Sequence, residues 1–495
     1  MWRTAWTGRV DRYGVPALVV AAALLRLPFL GAPLSSDEGG FLMVGGQWSP
    51  GTSLYGDYWV DRPPLLITIY QLADLLGGGI ALRLIGIVAV GVSVVLAAGV
   101  GRLAAPADRR APLVAAAAAA IFLTSPLYGA REVDGELLAV PFLLAGMLAV
   151  LSATSGHGGP RAWALAGLAA VAAVSIKQNM FDVGVAVAAA VGWMLWNRHW
   201  RAAGVAAAAF AAGAAVMLGT VLGWAALHGT TVPGLWDAVV KFRAAAARVI
   251  ASSATGTNEF RAQGLVAAFL LSGALGILLV AVLPSLRRRN GRHVLLDHPD
   301  HPHADLVVLA AAVAAWEAFS VIAGGSYWLH YLIGTVPGLV LVAAVSIRYR
   351  PGRLRLTGNV LAYAAVLAVA GTAVVAPVVG DPTPSTQVGD FLERRADPGD
   401  TGVVAFGYAT LLHDAGLSSP YPHLWSLPVR VRDPELARLT RILRGPDAPT
   451  WVVVMGDSTT TWGVDGTTAD EAIDERYRQV RVIDDWHVYH LDEGR

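Results

Sequence analysis

The residues able to do chemistry are few, and they are grouped. Ser35-Ser36-Asp37-Glu38-Gly39-Gly40 puts two adjacent carboxylates just past the first apolar segment, and Asp61-Arg62-Pro63-Pro64-Leu65 later sets an acid beside a base. Arg131-Glu132-Val133-Asp134-Gly135-Glu136 gathers three acids in one turn, while Arg83, Lys177 and His330 stand singly at the edges of long apolar runs. A carboxylate beside a hydroxyl can take its proton as the hydroxyl attacks. A cationic side chain can hold an anionic group and stabilise charge that develops on it. The fork of Arg62 suits phosphate geometry, and Pro63-Pro64 stiffens its approach. Plainer roles stay open for each residue. Asp37 also fits a solvated loop acid or a helix cap, and Arg62 fits an ion pair with Asp61 or Asp57. Arg83 and Lys177 fit cations snorkelling to lipid headgroups. His330 also fits a structural histidine at a helix start, and Glu132 and Glu136 are spaced to share a helix face.

The elements that must position these residues are hydrophobic. The chain is 55% hydrophobic and 15% charged, with mean hydropathy +0.53, against about 25% charged in an ordinary soluble domain. Its apolar residues come in runs long enough for bilayer spans, which need ~20 residues each. Spans are expected near 13–31, 80–103, 111–128, 137–153, 162–177, 181–197, 202–227, 263–284, 304–325, 329–347 and 358–379, about eleven in all. The first reads as an uncleaved span, since no small-x-small site follows it. Basic residues stay on the cytoplasmic side of short loops. Arg3, Arg9 and Arg12, then Arg102, Arg109 and Arg110, Arg161, Arg198 and Arg201, Arg287, Arg288, Arg289 and Arg292, and Arg348, Arg350, Arg353 and Arg355 all fall on one face of this count. The N-terminus is therefore expected inside, and the acids and isolated bases outside. The polar stretch from Leu34 to Gly79 reads as an outer loop. Within it Leu65–Leu76 is too short to span and reads as an interfacial helix, with Tyr58, Trp59 and Tyr70 at headgroup depth. Lys241, Arg243, Arg248 and Arg261 make the segment His228 to Gln263 a basic outer loop.

After Gly380 the composition turns mixed and polar. Helices are expected at Gln387–Arg395, Glu435–Leu443 and Asp470–Arg478, and strands at Gly402–Tyr408, Trp451–Met455 and within Val480–His490. The expected fold is thus an all-α polytopic membrane protein over 1–380 with a small extracytoplasmic α/β domain over 381–495. The chain has no cysteine, which excludes disulfides, thiolate metal sites and Cys nucleophiles. A net charge of +1 supplies no basic face for nucleic acid. Neither a P-loop nor a dinucleotide fingerprint is present, which argues against a cytoplasmic nucleotide-sugar site.

The pattern resembles the extracytoplasmic glycosyltransferases of the GT-C fold, in the bacterial branch of the family 39 type related to protein O-mannosyltransferases and the lipid A aminoarabinose transferase. The resemblance rests on Asp37-Glu38, Asp61-Arg62-Pro63-Pro64-Leu65, Ala81-Leu82-Arg83-Leu84, Asp134 with Glu136, and His330-Tyr331 followed by Pro337. Lys177 matches a recurrent family lysine, though Gln178 stands where a glycine is usual, and Arg62 stands where the family usually has lysine. Val403-Val404-Ala405-Phe406-Gly407-Tyr408 is similar to the ectodomains of such enzymes. The resemblance implies transfer of a sugar from a polyprenyl-phosphate donor to an extracytoplasmic glycan, lipid or protein, with inversion. It implies Asp37 as general base, with Glu38 and Asp134 as further catalytic acids. Arg62, Arg83, Lys177 and His330 would face the donor phosphate, and Asp61, Glu136 and Tyr331 the substrate. Asp37, Glu38 and Asp134 are hard oxygen ligands of the kind Mg²⁺ or Mn²⁺ accepts, but no dense acidic motif demands a metal.

Two rival functions bear on the same residues. A transporter or lipid flippase would place ionisable residues and broken helices near the bilayer midplane, whereas those residues cluster here at outer span ends. A non-catalytic scaffold or receptor would depend on the residues beyond Gly380 and tolerate Asp37→Asn.

Overall fold

The structure, a computed structural model, describes residues 2–252, 256–282, 301, 303–349, 351–461 and 463–492. Arg287, Arg288, Arg289, Arg292 and Arg350 lie outside the described residues. Every apolar segment read as a span carries helix. Among the described residues six helices are long and apolar enough to cross a membrane: Gly79–Ala104, Gly135–Thr154, Trp200–Leu227, Leu306–Ala323, Leu329–Tyr349 and Leu354–Val375. A seventh is the pair Thr257–Leu271 and Ala274–Ala281, bent by 58°. The bend has a local cause. Gly273 takes φ +89°, which ends the first helix, and the Ser272 hydroxyl accepts the Ala274 N–H at 3.3 Å as the second begins. Tyr13–Phe29, Ala111–Phe122, Gly159–Val174 and Asp182–Trp196 are apolar but shorter.

The chain divides into two compact units. The first comprises Met1–Leu30, Arg83–Val221 and Gly256–Pro377. It is helical and packs on small residues. A Cβ on Gly167 would lie 2.0 Å from the Phe210 carbonyl oxygen, and one on Gly213 would lie 1.9 Å from that of Ala164. Two helix backbones therefore touch there, as small residues permit where lipid offers no hydrophobic drive for association.

The second unit comprises Gly31–Leu82, Leu222–Thr255 and Val378–Arg495. Here the sequence expectation needs correcting. The stretch after Leu34 is not a simple loop, because Ser36–Gly46 is an α-helix. Ser35 caps it and accepts the Glu38 N–H at 3.3 Å, while the Glu38 carboxylate accepts the Ser35 N–H at 2.9 Å, a capping box. Tyr58, Trp59 and Tyr70 are buried in protein, not presented at a lipid interface. Their hydroxyl and backbone groups find protein partners instead: the Tyr58 hydroxyl accepts the Ser419 N–H at 2.8 Å, and the Trp59 N–H donates to the Pro422 carbonyl at 3.0 Å. The short apolar helix is present as Pro64–Leu75. The segment after His228, read as a loop, holds the helices Val232–Trp236 and Phe242–Ser252 joined by a π-helical turn.

A four-stranded sheet lies in this unit, with β1 at Gly402–Ala405, β2 at Trp451–Met455, β3 at Tyr477–Ile483 and β4 at Trp486–Leu491. The order is β1-β2-β4-β3, with β1 and β2 parallel and the other pairs antiparallel. The short β-branched runs of β1 and β2 are buried on both faces, as parallel strands require. Val403, Tyr421, Leu439, Leu443, Val452 and Ile473 form part of the core against the sheet.

Candidate functional site

The first unit brings five of the expected site residues together. Asp134 caps the Gly135–Thr154 helix, its Oδ1 accepting the Leu137 N–H at 2.9 Å. Its Oδ2 is buried without a hydrogen-bond partner, and His330 Nδ1 stands 3.7 Å away. Glu136, in the first turn of the same helix and 2% exposed, is paired with the Lys177 ammonium through Oε1. Its Oε2 is likewise buried and unpartnered. Lys177 also lies 4.8 Å from the Tyr331 ring centroid, a cation–π distance. Burial, and then the neighbouring Glu136 charge, push the Asp134 carboxyl well above the usual carboxylate range. Glu132 precedes the helix, so Glu132 and Glu136 do not share a helical face.

This cluster rests on two buried arginines. Arg83 donates to the Arg131 carbonyl. Arg26 donates to the carbonyls of Leu123 at 3.2 Å and Glu132 at 2.9 Å, bracing the turn that presents Asp134. Nothing in the sequence singled out Arg26, which reads as an ordinary charge at a span end. The pair Asp182 and Glu317 was also missed, because each looks like an isolated acid. Both are buried, close enough for their carboxylates to interact electrostatically, and Glu317 accepts the Gly338 N–H at 2.7 Å.

Asp134, Glu136 and His330 each offer a ligand atom within 4.8 Å of the others. Among the described residues this is the grouping suited to a cation. The unpartnered oxygens of Asp134 and Glu136 fit a divalent ion, and a mixed carboxylate–imidazole set suits Mn²⁺ or Zn²⁺ better than Mg²⁺. Lys177 already supplies a positive charge to Glu136 at the same place.

The second unit holds the other expected residues. Asp37 sits in the first turn of the Ser36–Gly46 helix, and its Oδ1 accepts the Trp425 indole N–H at 2.9 Å. Glu38 is buried and engaged in the capping box. Asp61 is 5% exposed and lies between two guanidiniums, Arg62 at 2.7 Å and Arg243 at 2.9 Å. Burial raises its carboxyl, but the two arginines outweigh that and leave it below the usual range. Arg62 is held in turn: the Tyr55 hydroxyl donates to its carbonyl at 2.6 Å, Pro64 opens the next helix, and the guanidinium lies 5.8 Å from the Phe41 ring. The ion pair and the stiffened approach weighed for Arg62 therefore coexist. Arg243, unassigned in the sequence, completes the clamp on Asp61. The remaining candidates fall as follows: Arg83, Asp134, Glu136, Lys177, His330 and Tyr331 in the first unit, and Asp37, Glu38, Asp61 and Arg62 in the second.

This arrangement of apolar helices and a small mixed sheet, with acids capping or opening helices, has counterparts of known structure. The crystal structure of ArnT from Cupriavidus metallidurans bound to undecaprenyl phosphate matches over 97% of this chain and 99% of its own, at TM-score 0.59 and 14% identity. The apo state of the same protein matches over 99% and 98%, at TM-score 0.59 and 16% identity. The Archaeoglobus fulgidus oligosaccharyltransferase, in complex with zinc and sulfate, matches over 88% of this chain and 67% of its own, at TM-score 0.45 and 14% identity. No protein-family model and no curated protein sequence matches the chain. The fold is that of the GT-C glycosyltransferases.

Proposed function

We propose that this chain is an integral membrane glycosyltransferase. It moves a sugar from a polyprenyl-phosphate donor to a hydroxyl of an extracytoplasmic glycan, lipid or protein, with inversion. The observation that carries the reading is the near full-length fold likeness to a protein solved with undecaprenyl phosphate. The four shorter apolar helices, added to the six long ones and the bent pair, support eleven spans. The N-terminus is then cytoplasmic and residues 381–495 lie outside.

In this reading Asp37 is the general base. The acceptor hydroxyl attacks the anomeric carbon as Asp37 takes its proton, and the bond from that carbon to the phosphate oxygen breaks. The polyprenyl phosphate leaves with its new negative charge stabilised by a cation, for which the candidates are Arg62 in the second unit and Arg83, Lys177 and His330 in the first. Within the second unit Asp61 orients Arg62; within the first Glu136 orients Lys177, Asp134 serves as a further catalytic acid and Tyr331 faces the substrate. The Asp37 carboxylate meets a neutral indole donor, whereas Asp61 is neutralised between two guanidiniums, which supports Asp37 over Asp61 as the base. A divalent ion, where bound, would be held by Asp134, Glu136 and His330 and would supply further positive charge to the phosphate.

A transporter is the second reading, and Glu317, buried within a candidate span, is the residue that favours it. Its bond to the Gly338 N–H makes it a cross-link between helices instead. The deciding experiment supplies the lipid-reconstituted protein with radiolabelled polyprenyl-phosphate sugars and membrane extract. Transfer by the wild type, lost in a folded Asp37→Asn variant, supports the reading. Equal transfer by both removes Asp37 as base, and absence of turnover with every donor favours the transporter.

A further inference from the structure

The C-terminal segment reaches into the helix that carries Asp37, and all of the contacts lie inside one unit. Trp425 donates its indole N–H to Asp37 Oδ1 at 2.9 Å, across 388 residues of sequence. Its ring packs on Phe41, one turn further along the same helix, with centroids 5.2 Å apart. The Tyr408 N–H donates to the Ser36 hydroxyl at 2.8 Å. Two glycines make the approach possible. A Cβ on Gly39 would lie 2.8 Å from Thr410 Cα, and one on Gly40 would lie 2.4 Å from the Trp425 ring. The helix therefore pays in propensity for a face with no side chains, and Trp425 lies against that face.

From this we infer that Trp425 is a positioning residue for the Asp37 carboxylate, so that residues 381–495 are a working part of the site and not an appended domain. The inference rests on the proposed role of Asp37. Ser35 and Glu38 do the capping at this helix start, which leaves the Asp37 side chain free to rotate about its own bonds. The indole fixes one carboxylate oxygen and so sets the direction in which the other points. A bond to a neutral donor orients the carboxylate without neutralising it, which is what a base needs.

The test uses the full chain in lipid nanodiscs. Trp425→Phe keeps the ring and removes the N–H. Expected is a kcat lower by ~10-fold, the scale of one hydrogen bond to a charged group, with donor KM unchanged and Tm only slightly lowered. Trp425→His, which can present an N–H, recovers part of the loss, and Gly40→Ala, which displaces the ring, loses activity like Trp425→Phe. In an Asp37→Asn background Trp425→Phe causes no further loss. Wild-type kcat in Trp425→Phe beside an inactive Asp37→Asn overturns the inference and leaves the proposed function standing. A fully active Asp37→Asn overturns the assignment of the base itself, and the inference with it. A thermal double-mutant cycle on Asp37→Ala and Trp425→Phe, each of which removes the bond, reads the contact without any assay, and additivity there overturns the inference whatever the donor.

Discussion

Asp134 and Asp37 both stand at helix N-termini, and the two helices use them differently. Asp134 is itself the cap. One oxygen is spent on Leu137, and the other is left buried beside His330 with no hydrogen-bond partner. Asp37 is relieved of capping by Ser35 and Glu38, and its side chain is met from outside the helix by Trp425. A cap is a structural acid whose geometry follows from the helix, whereas an acid two positions past the cap is aimed by something else. An acid freed from capping is the one available to act as the base. The contrast also separates two kinds of cation: Lys177 compensates a buried acid, and Arg62 shares its acid with Arg243.

Turnover should respond most strongly. Asp37→Asn is expected to lower kcat about 10³-fold, within the range for loss of a general base, with Tm within a degree or two of wild type. A large fall in Tm would make Asp37 as structural as Asp134 and break the contrast. Next comes Lys177→Met, which leaves Glu136 buried without its cation. Its expected cost is ~3 kcal/mol, the scale for breaking a buried pair, read as a lowered Tm in nanodiscs. Glu136→Gln added to Lys177→Met should restore part of it, and failure to do so would show that Lys177 is not there to compensate Glu136.

Asp61→Asn tests the clamp. Its arginines are partly exposed, so the expected loss is smaller, ~2 kcal/mol. The pH dependence has a definite sign. Asp61 has a lowered carboxyl in the folded state, so its contribution is full above the unfolded carboxylate range near ~4 and is lost as the pH falls through the folded value. Thermal stability measured below about pH 4 should therefore fall more steeply in wild type than in Asp61→Asn. Equal acid limbs would show that the two guanidiniums do not hold Asp61 ionised.

The sequence made the long helices legible, because apolar length is a one-dimensional property. Gly79–Ala104 and Trp200–Leu227 lie within a few residues of the runs marked for them. The acids of Asp134 and Glu136 and the isolated Lys177 were visible as polarity out of place. The helix Ser36–Gly46 was hidden by its four glycines, which lower helix propensity. Those at 39 and 40 serve a contact with residues nearly 400 positions away. Ser35 followed three residues later by Glu38 was a capping signal that could have found it. Arg243 on Asp61, Trp425 on Asp37 and Glu317 on Asp182 could not be found in this way, since no spacing rule links such distant positions. Tyr58, Trp59 and Tyr70 were misplaced for a related reason. An aromatic near a span end suits lipid headgroups and a protein core equally, and only the tertiary partners decide between them.

The smallest effect distinguishes Asp134 most sharply from Asp61, because its sign is opposite. Asp134 has a raised carboxyl in the folded state, so between the unfolded value near ~4 and the raised folded value the native chain binds more protons than the unfolded one. Stability then falls as pH rises through that window, where Asp61 has already given its full contribution. Asp134→Asn keeps a side-chain oxygen for the Leu137 N–H, so the cap survives and the loss at low pH is expected to stay below ~1 kcal/mol. The same substitution removes the ionisable group, so the variant should gain on wild type as pH is raised from 4 towards neutrality. Thermal melts of both proteins over that range check this. A wild-type curve that does not fall relative to the variant would mean that His330 and Lys177 hold Asp134 ionised. The unpartnered oxygen beside His330 would then be a charge already balanced within the cluster, and less in need of a divalent ion.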